Sequence, residues 1–79
     1  MTVNQPLLLY TRSDCHLCEQ AARALERAGI GWSPVDIDED PELALKYGLH
    51  VPVIKHVLSG RELFYPFGDE QIRAFLDGG

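Results

Sequence analysis

Cys15 and Cys18 are the only cysteines of the chain and stand two residues apart in the run Cys15-His16-Leu17-Cys18. At this spacing on a helix the two thiols lie on one face, so Cys18 can reach back to Cys15 and close a disulfide. The run follows closely on the apolar stretch Leu7-Leu8-Leu9-Tyr10, which places the first cysteine where a strand gives way to a helix. That position suits sulfur chemistry. The thiolate is the reactive form of cysteine, and free backbone N–H groups at a helix start favour negative charge there. Cys15 is therefore the expected nucleophile, and Cys18, one turn further in, the less exposed thiol that resolves a mixed disulfide. Arg12 adds a nearby positive charge, while Asp14 opposes a second negative one. As a structural staple the pair would close a loop too short to constrain much of the chain.

Other residues could turn the same cysteines to different use. His16 could hydrogen-bond to Cys15 or help in proton transfer, or it could simply face solvent from the first helical turn. His16, His50 and His56 could supply nitrogen ligands beside the two sulfurs, giving a metal-binding module. Zinc prefers four well-spaced ligands, however, and Val51-Pro52 between His50 and His56 calls for strand geometry rather than a helical ligand pair. Haem attachment is excluded because Glu19, not histidine, follows Cys18. The acidic run Asp36-Ile37-Asp38-Glu39-Asp40 echoes the start of a calcium loop, but Pro41 stands where glycine is needed and Tyr47 where the closing glutamate is needed. It reads instead as a solvated loop and helix start.

The elements that must position the cysteines follow from periodicity. Leu7 to Thr11 reads as a strand buried on both faces. Leu17, Ala21, Ala24, Leu25 and Ala28 then fall at helical spacing, with Gly29 as the stop. Trp32, Val35 and Ile37 give a second strand. Asp40-Pro41 opens a short helix that runs through Leu43, Ala44 and Tyr47 to a stop at Gly48. Val51 to Leu58 and Arg61 to Tyr65 read as a hairpin around Ser59-Gly60. Asp69 is the expected cap of a last helix carrying Ile72, Phe75 and Leu76 on one face. Trp32, Phe64, Tyr65, Phe67 and Phe75 are spaced for packing, with Phe67 the one to watch beside Gly68-Asp69. The order is β-α-β, a connecting helix, then β-β-α. It predicts a four-stranded mixed sheet with helices on both faces, in the α/β class.

Length and charge narrow the function classes. Seventy-nine residues make one domain, with an ordered core expected over 7–77, and a 46% apolar share argues for a packed globule. A net charge of −5 with seven scattered Lys and Arg argues against a nucleic-acid surface. Met1-Thr2-Val3-Asn4-Gln5-Pro6 has no basic or long apolar leader, and the longest wholly apolar run is Leu7 to Tyr10. A monomeric cytoplasmic protein, with neither membrane nor nucleic-acid partner, is the expectation.

This order, with C-x-x-C at the first strand-to-helix junction, resembles the thioredoxin fold, and in detail the glutaredoxins. Tyr10-Thr11-Arg12-Ser13-Asp14-Cys15-His16-Leu17-Cys18 is similar to a glutaredoxin active-site segment. Tyr47-Gly48-Leu49-His50-Val51-Pro52-Val53-Ile54 is similar to the family's strand entry, where the bond before proline is cis. Ser59-Gly60-Arg61 fits the hairpin turn, and Gly68-Asp69 the approach to the last helix. Two departures stand out: His16-Leu17 replaces the usual Pro-Tyr, and Phe67-Gly68 replaces a double glycine. The resemblance implies dithiol exchange through Cys15 and Cys18 on protein disulfides or glutathione mixed disulfides. It implies no tightly bound cofactor, glutathione as a co-substrate, and glutathione or a reductase as electron donor. It further implies a groove in which Arg12, Gly68, Asp69 and the outward-facing backbone of Val51, set by Pro52, hold glutathione. A metal-binding module and a redox-inactive interaction domain are the alternatives.

Overall fold

A computed structural model describes residues 6–77; the N-terminal run read above for a leader lies largely outside them. The elements are β1 (Leu7–Thr11), α1 (His16–Ala28), β2 (Trp32–Asp36), α2 (Pro41–Tyr47), β3 (Val53–His56), β4 (Glu62–Phe64) and α3 (Asp69–Asp77). The strands form one sheet in the order β2-β1-β3-β4. β1 runs parallel to β2 and antiparallel to β3, and β4 closes the hairpin against β3. Pro34 interrupts the alternation of β2, which is an edge strand, the position where sheets tolerate proline.

The two-residue period of the strands divides the core. Leu7 and Leu9 of β1 and Ile54 of β3 face Ala21, Ala24 and Leu25 of α1 and Ile72 and Phe75 of α3. Tyr10 and Val53 point to the other face, where they meet Ile37 and Tyr47. Helices thus cover both faces, and β1 is sandwiched between them. β1, the strand that leads into the cysteine loop, has three of its five residues buried.

Several boundaries differ from the sequence reading. Ile37 leaves the second strand and begins a 3-10 turn (Ile37–Glu39), with the Asp36 side chain accepting the Asp38 N–H at 2.9 Å. That bond turns the chain early, so the acidic run is not merely solvated: Asp36 and Asp40 each cap a helical start. The hairpin strands are shorter than read. His56 Nδ1 accepts from Ser59 N–H, and Gly60 N–H closes onto the His56 carbonyl at 2.8 Å. Gly48 ends α2 in right-handed geometry, not the left-handed stop of Gly29. A Cβ at Gly48 would stand 2.5 Å from the Ala44 carbonyl oxygen. Gly29, by contrast, has φ +75°, where any side chain costs energy.

The cap of α3 is also corrected. Gly68, not Asp69, is the capping residue: its carbonyl accepts the Ile72 N–H at 3.0 Å. The Gln71 side chain reaches back to the Gly68 N–H at 2.8 Å, one half of a capping box. Asp69 is then the first helical residue, and its side chain is free to turn elsewhere.

Candidate active site

Thr11 ends β1, and Arg12, Ser13 and Asp14 lead the chain into α1. Asp14 makes the turn at φ +58°, a conformation that aspartate tolerates better than most residues. Cys15 caps α1 in extended backbone, and its Sγ accepts the Cys18 N–H at 3.1 Å. The donor is one of the N–H groups a helix leaves unpaired at its start, and it is aimed at sulfur. Cys15 and Cys18 are joined as a disulfide with their Cα atoms 5.2 Å apart. Cys15 is half-buried, whereas Cys18 is only 3% exposed. The pair therefore presents one sulfur outward and keeps the other in the core.

Arg12 does not offer a free charge to Cys15. Its guanidinium grips Asp38 through Nη2 at 2.7 Å and Nε at 3.3 Å, and donates through Nη1 to the Gly48 carbonyl at 3.0 Å. The hydrogen bond to Arg12 holds the Asp38 carboxyl below its ordinary range, and the same bond raises Arg12. Arg12 thereby ties the cysteine loop to the turn after β2 and to the end of α2. Favouring negative charge on Cys15 is left to the helix start.

The remaining expected site residues include Arg12 beside the cysteines and the consecutive Gly68 and Asp69 at the start of α3, whose clefts share Ala24 and Arg27. Arg12 shares a cleft with Cys15 and Cys18, together with Leu9, Ala22, Trp32 and Pro34. Gly68 lines a second cleft with Leu17, Tyr65 and Phe67. Asp69 lines a third, between α1 and α3, where Arg27 donates to it at 3.0 and 3.3 Å. The peptide bonds Val51–Pro52 and Tyr65–Pro66 are cis. Pro52 is buried, and its carbonyl accepts the Tyr65 N–H at 3.3 Å. Val51, expected to point its N–H outward, instead donates it to the Tyr47 carbonyl at 3.1 Å, because the turn after α2 folds back on the helix end.

The histidines go separate ways. His16 pairs with Gln20 one turn along α1 at 3.2 Å, His50 packs edge-on to Phe64, and His56 braces the hairpin. Among the described residues no group of three or more His, Cys, Asp or Glu is arranged to hold a metal.

Two features were missed in the sequence. Gln71, three residues after Gly68, carries the spacing of a reach-back cap and was legible as such. The hydrogen bond from the buried Tyr47 hydroxyl to Glu62, with Tyr47 stacked on Tyr10 at 4.4 Å, left no local signal. Desolvation, and then the Glu62 carboxylate, push the Tyr47 phenol upward.

Comparison with known proteins bears on the family and the fold. The family model described as Glutaredoxin-like domain (DUF836) matches residues 6–77. The chain belongs to the glutaredoxin-like family. A crystal structure of the protein XcR50 from X. campestris is similar to this glutaredoxin-like chain at 49% identity and a TM-score of 0.86, over 92% of this chain and 97% of that one. A solution structure of XcR50 from the same organism gives 50% identity and a TM-score of 0.80, over 94% and 95%. No curated protein matches the sequence. The glutaredoxin-like domain with its paired Cys15 and Cys18 supports a thiol redox role in general. No helix among the described residues is long and apolar enough to cross a membrane.

Proposed function

We propose that the chain is a dithiol oxidoreductase that reduces protein disulfides or glutathione mixed disulfides, with Cys15 as nucleophile and Cys18 as resolving thiol. The observation that carries this reading is the asymmetry of the pair. Cys15 is half-exposed, with its sulfur accepting a helix-start N–H, and Cys18 sits 3% exposed behind it.

The step follows from that arrangement. The Cys15 thiolate attacks one sulfur of a substrate disulfide; a Cys15–substrate bond forms, and the other substrate sulfur leaves as a thiolate that takes a proton from water. Cys18 then loses its proton and attacks the Cys15 sulfur, forming the Cys15–Cys18 bond and releasing the second substrate thiol. Two electrons and two protons pass from the enzyme dithiol to the substrate. A small thiol or a protein dithiol, as electron donor, returns the pair to the reduced form. Because Cys18 lies one turn from Cys15 on the same helix face, the second attack needs no rearrangement of the chain.

Removing the resolving thiol tests the order of events. Cys18→Ser is expected to stop at a mixed disulfide on Cys15, visible by mass spectrometry as one covalent adduct per chain. Cys15→Ser should form none at a comparable rate. An adduct that accumulates on Cys18 in the Cys15→Ser variant as fast as on Cys15 would refute the assignment.

A further inference from the structure

The cleft beside the cysteines has a volume of about 290 Å³. That lies at the lower end of the ~300–1,000 Å³ typical of small-molecule sites and is ample for a side chain. Leu9 of β1, Ala22 of α1, and Trp32 and Pro34 of the edge strand β2 give it apolar walls, and Cys15 and Cys18 line it as well. A group seated there stands next to the attacking sulfur. Asp14 and Glu19 also line the cleft; both are exposed, and among the described residues neither makes an ion pair. Arg12, the cation at this cleft, is bonded to Asp38 and Gly48, so the open charge there is negative.

The polar groups that would anchor a zwitterionic tripeptide thiol are bonded within the chain. Asp69 is held by Arg27, the Gly68 N–H by Gln71, and the Val51 N–H by the Tyr47 carbonyl. Glutathione would compete with these contacts for the Gly68 and Val51 N–H groups, and that cost comes out of its affinity, although the exposed Asp69 carboxylate keeps free lone pairs.

We infer that the disulfide substrate is carried by a polypeptide: an apolar side chain beside the attacked cysteine enters the Leu9–Ala22–Trp32–Pro34 cleft, and a neighbouring Lys or Arg meets Asp14 and Glu19. This rests on dithiol exchange at Cys15 and narrows its substrate to a basic, apolar protein segment. The cleft supplies the hydrophobic contact, and the acidic residues supply complementary charge that steers encounter.

The test uses the full chain, reduced beforehand, and three substrates: a disulfide-bonded peptide with Leu and Lys flanking its cysteine, the same peptide with Ser and Asp there, and oxidised glutathione. One filled apolar pocket is worth about tenfold in kcat/KM, so the Leu-Lys peptide should exceed the other two by about that factor or more. Ala22→Leu, which fills the cleft, should raise the KM of the Leu-Lys peptide and lower its advantage over glutathione about tenfold. Asp14→Asn with Glu19→Gln should lower the same advantage and remove its dependence on salt; this pair carries the test if Ala22→Leu fails to fold. Preference for glutathione, or equal rates on both peptides, overturns the inference while leaving dithiol exchange intact. Reduction of none of the three substrates overturns both.

Discussion

Tyr47 shows how one buried polar group can tie the sheet to the helix on its far face. Its ring lies at 1% exposure against Tyr10, and its hydroxyl donates to Glu62 of β4. Replacing it with phenylalanine removes the bond and leaves the Glu62 carboxylate without that donor, a loss of about 1 kcal/mol at neutral pH. The phenol is raised in the folded chain, so its contribution is present below its ordinary value of 10.0 and is lost as pH climbs above it. Tyr47→Phe should therefore flatten the alkaline limb of a melting-temperature profile while lowering the plateau. A variant with an unchanged alkaline limb would show that other groups govern it. Asp38 runs in the opposite sense. Its carboxyl is lowered by Arg12, so the stabilisation is present above 3.8 and lost as pH falls through the lowered value. Asp38→Asn should lower the melting temperature modestly at neutral pH, because the pair is exposed, and the gap from the native chain should close in acid. A gap that stays constant below pH 3.8 would contradict this account.

At the scale of elements, α1 is the one on which the site depends, since Cys15 caps it, Cys18 lies in its first turn, and it packs on β1 and α3. Its end is set by Gly29, whose N–H bonds the Leu25 and Glu26 carbonyls from a left-handed conformation. Nothing lies within 4 Å of a Cβ built there, so the cost of Gly29→Ala is conformational strain alone, about 1–2 kcal/mol in chemical denaturation. A neutral effect would mean that the helix end is not held in this form. This helix was also the element most legible in the sequence, because Leu17, Ala21, Ala24, Leu25 and Ala28 repeat at its period and Gly29 ends it. Ile37 was misread for the opposite reason. An apolar residue after Val35 continues a strand pattern, and only the Asp36 side chain turns the backbone there. The cap of α3 was misplaced by one residue because Gly68 and Asp69 are both good candidates, and the Gln71 reach-back decides between them.

For the whole molecule, the sheet order followed from the sequence, since a βαβ unit and a following hairpin leave few arrangements. The partners of the charged site residues did not. Arg12 meets Asp38 across 26 residues and Arg27 meets Asp69 across 42, and no local pattern encodes such pairs. Those contacts bond Arg12 and Asp69, two of the expected groove residues, within the chain. The part of the site that was legible, the cysteine pair at the strand-to-helix junction, is also the part on which the proposed function rests.

Titrating the purified chain across thiol–disulfide buffers, trapping free thiols by alkylation and counting adducts by mass, reads the redox state of the pair. A single two-electron transition is expected between a form with two adducts and a form with none, at about −270 to −200 mV, the range of thioredoxins and glutaredoxins. Under reducing conditions and limiting reagent, the first adduct should map to Cys15. Two thiols that stay free at every poise, or that react as independent single groups, would contradict that expectation.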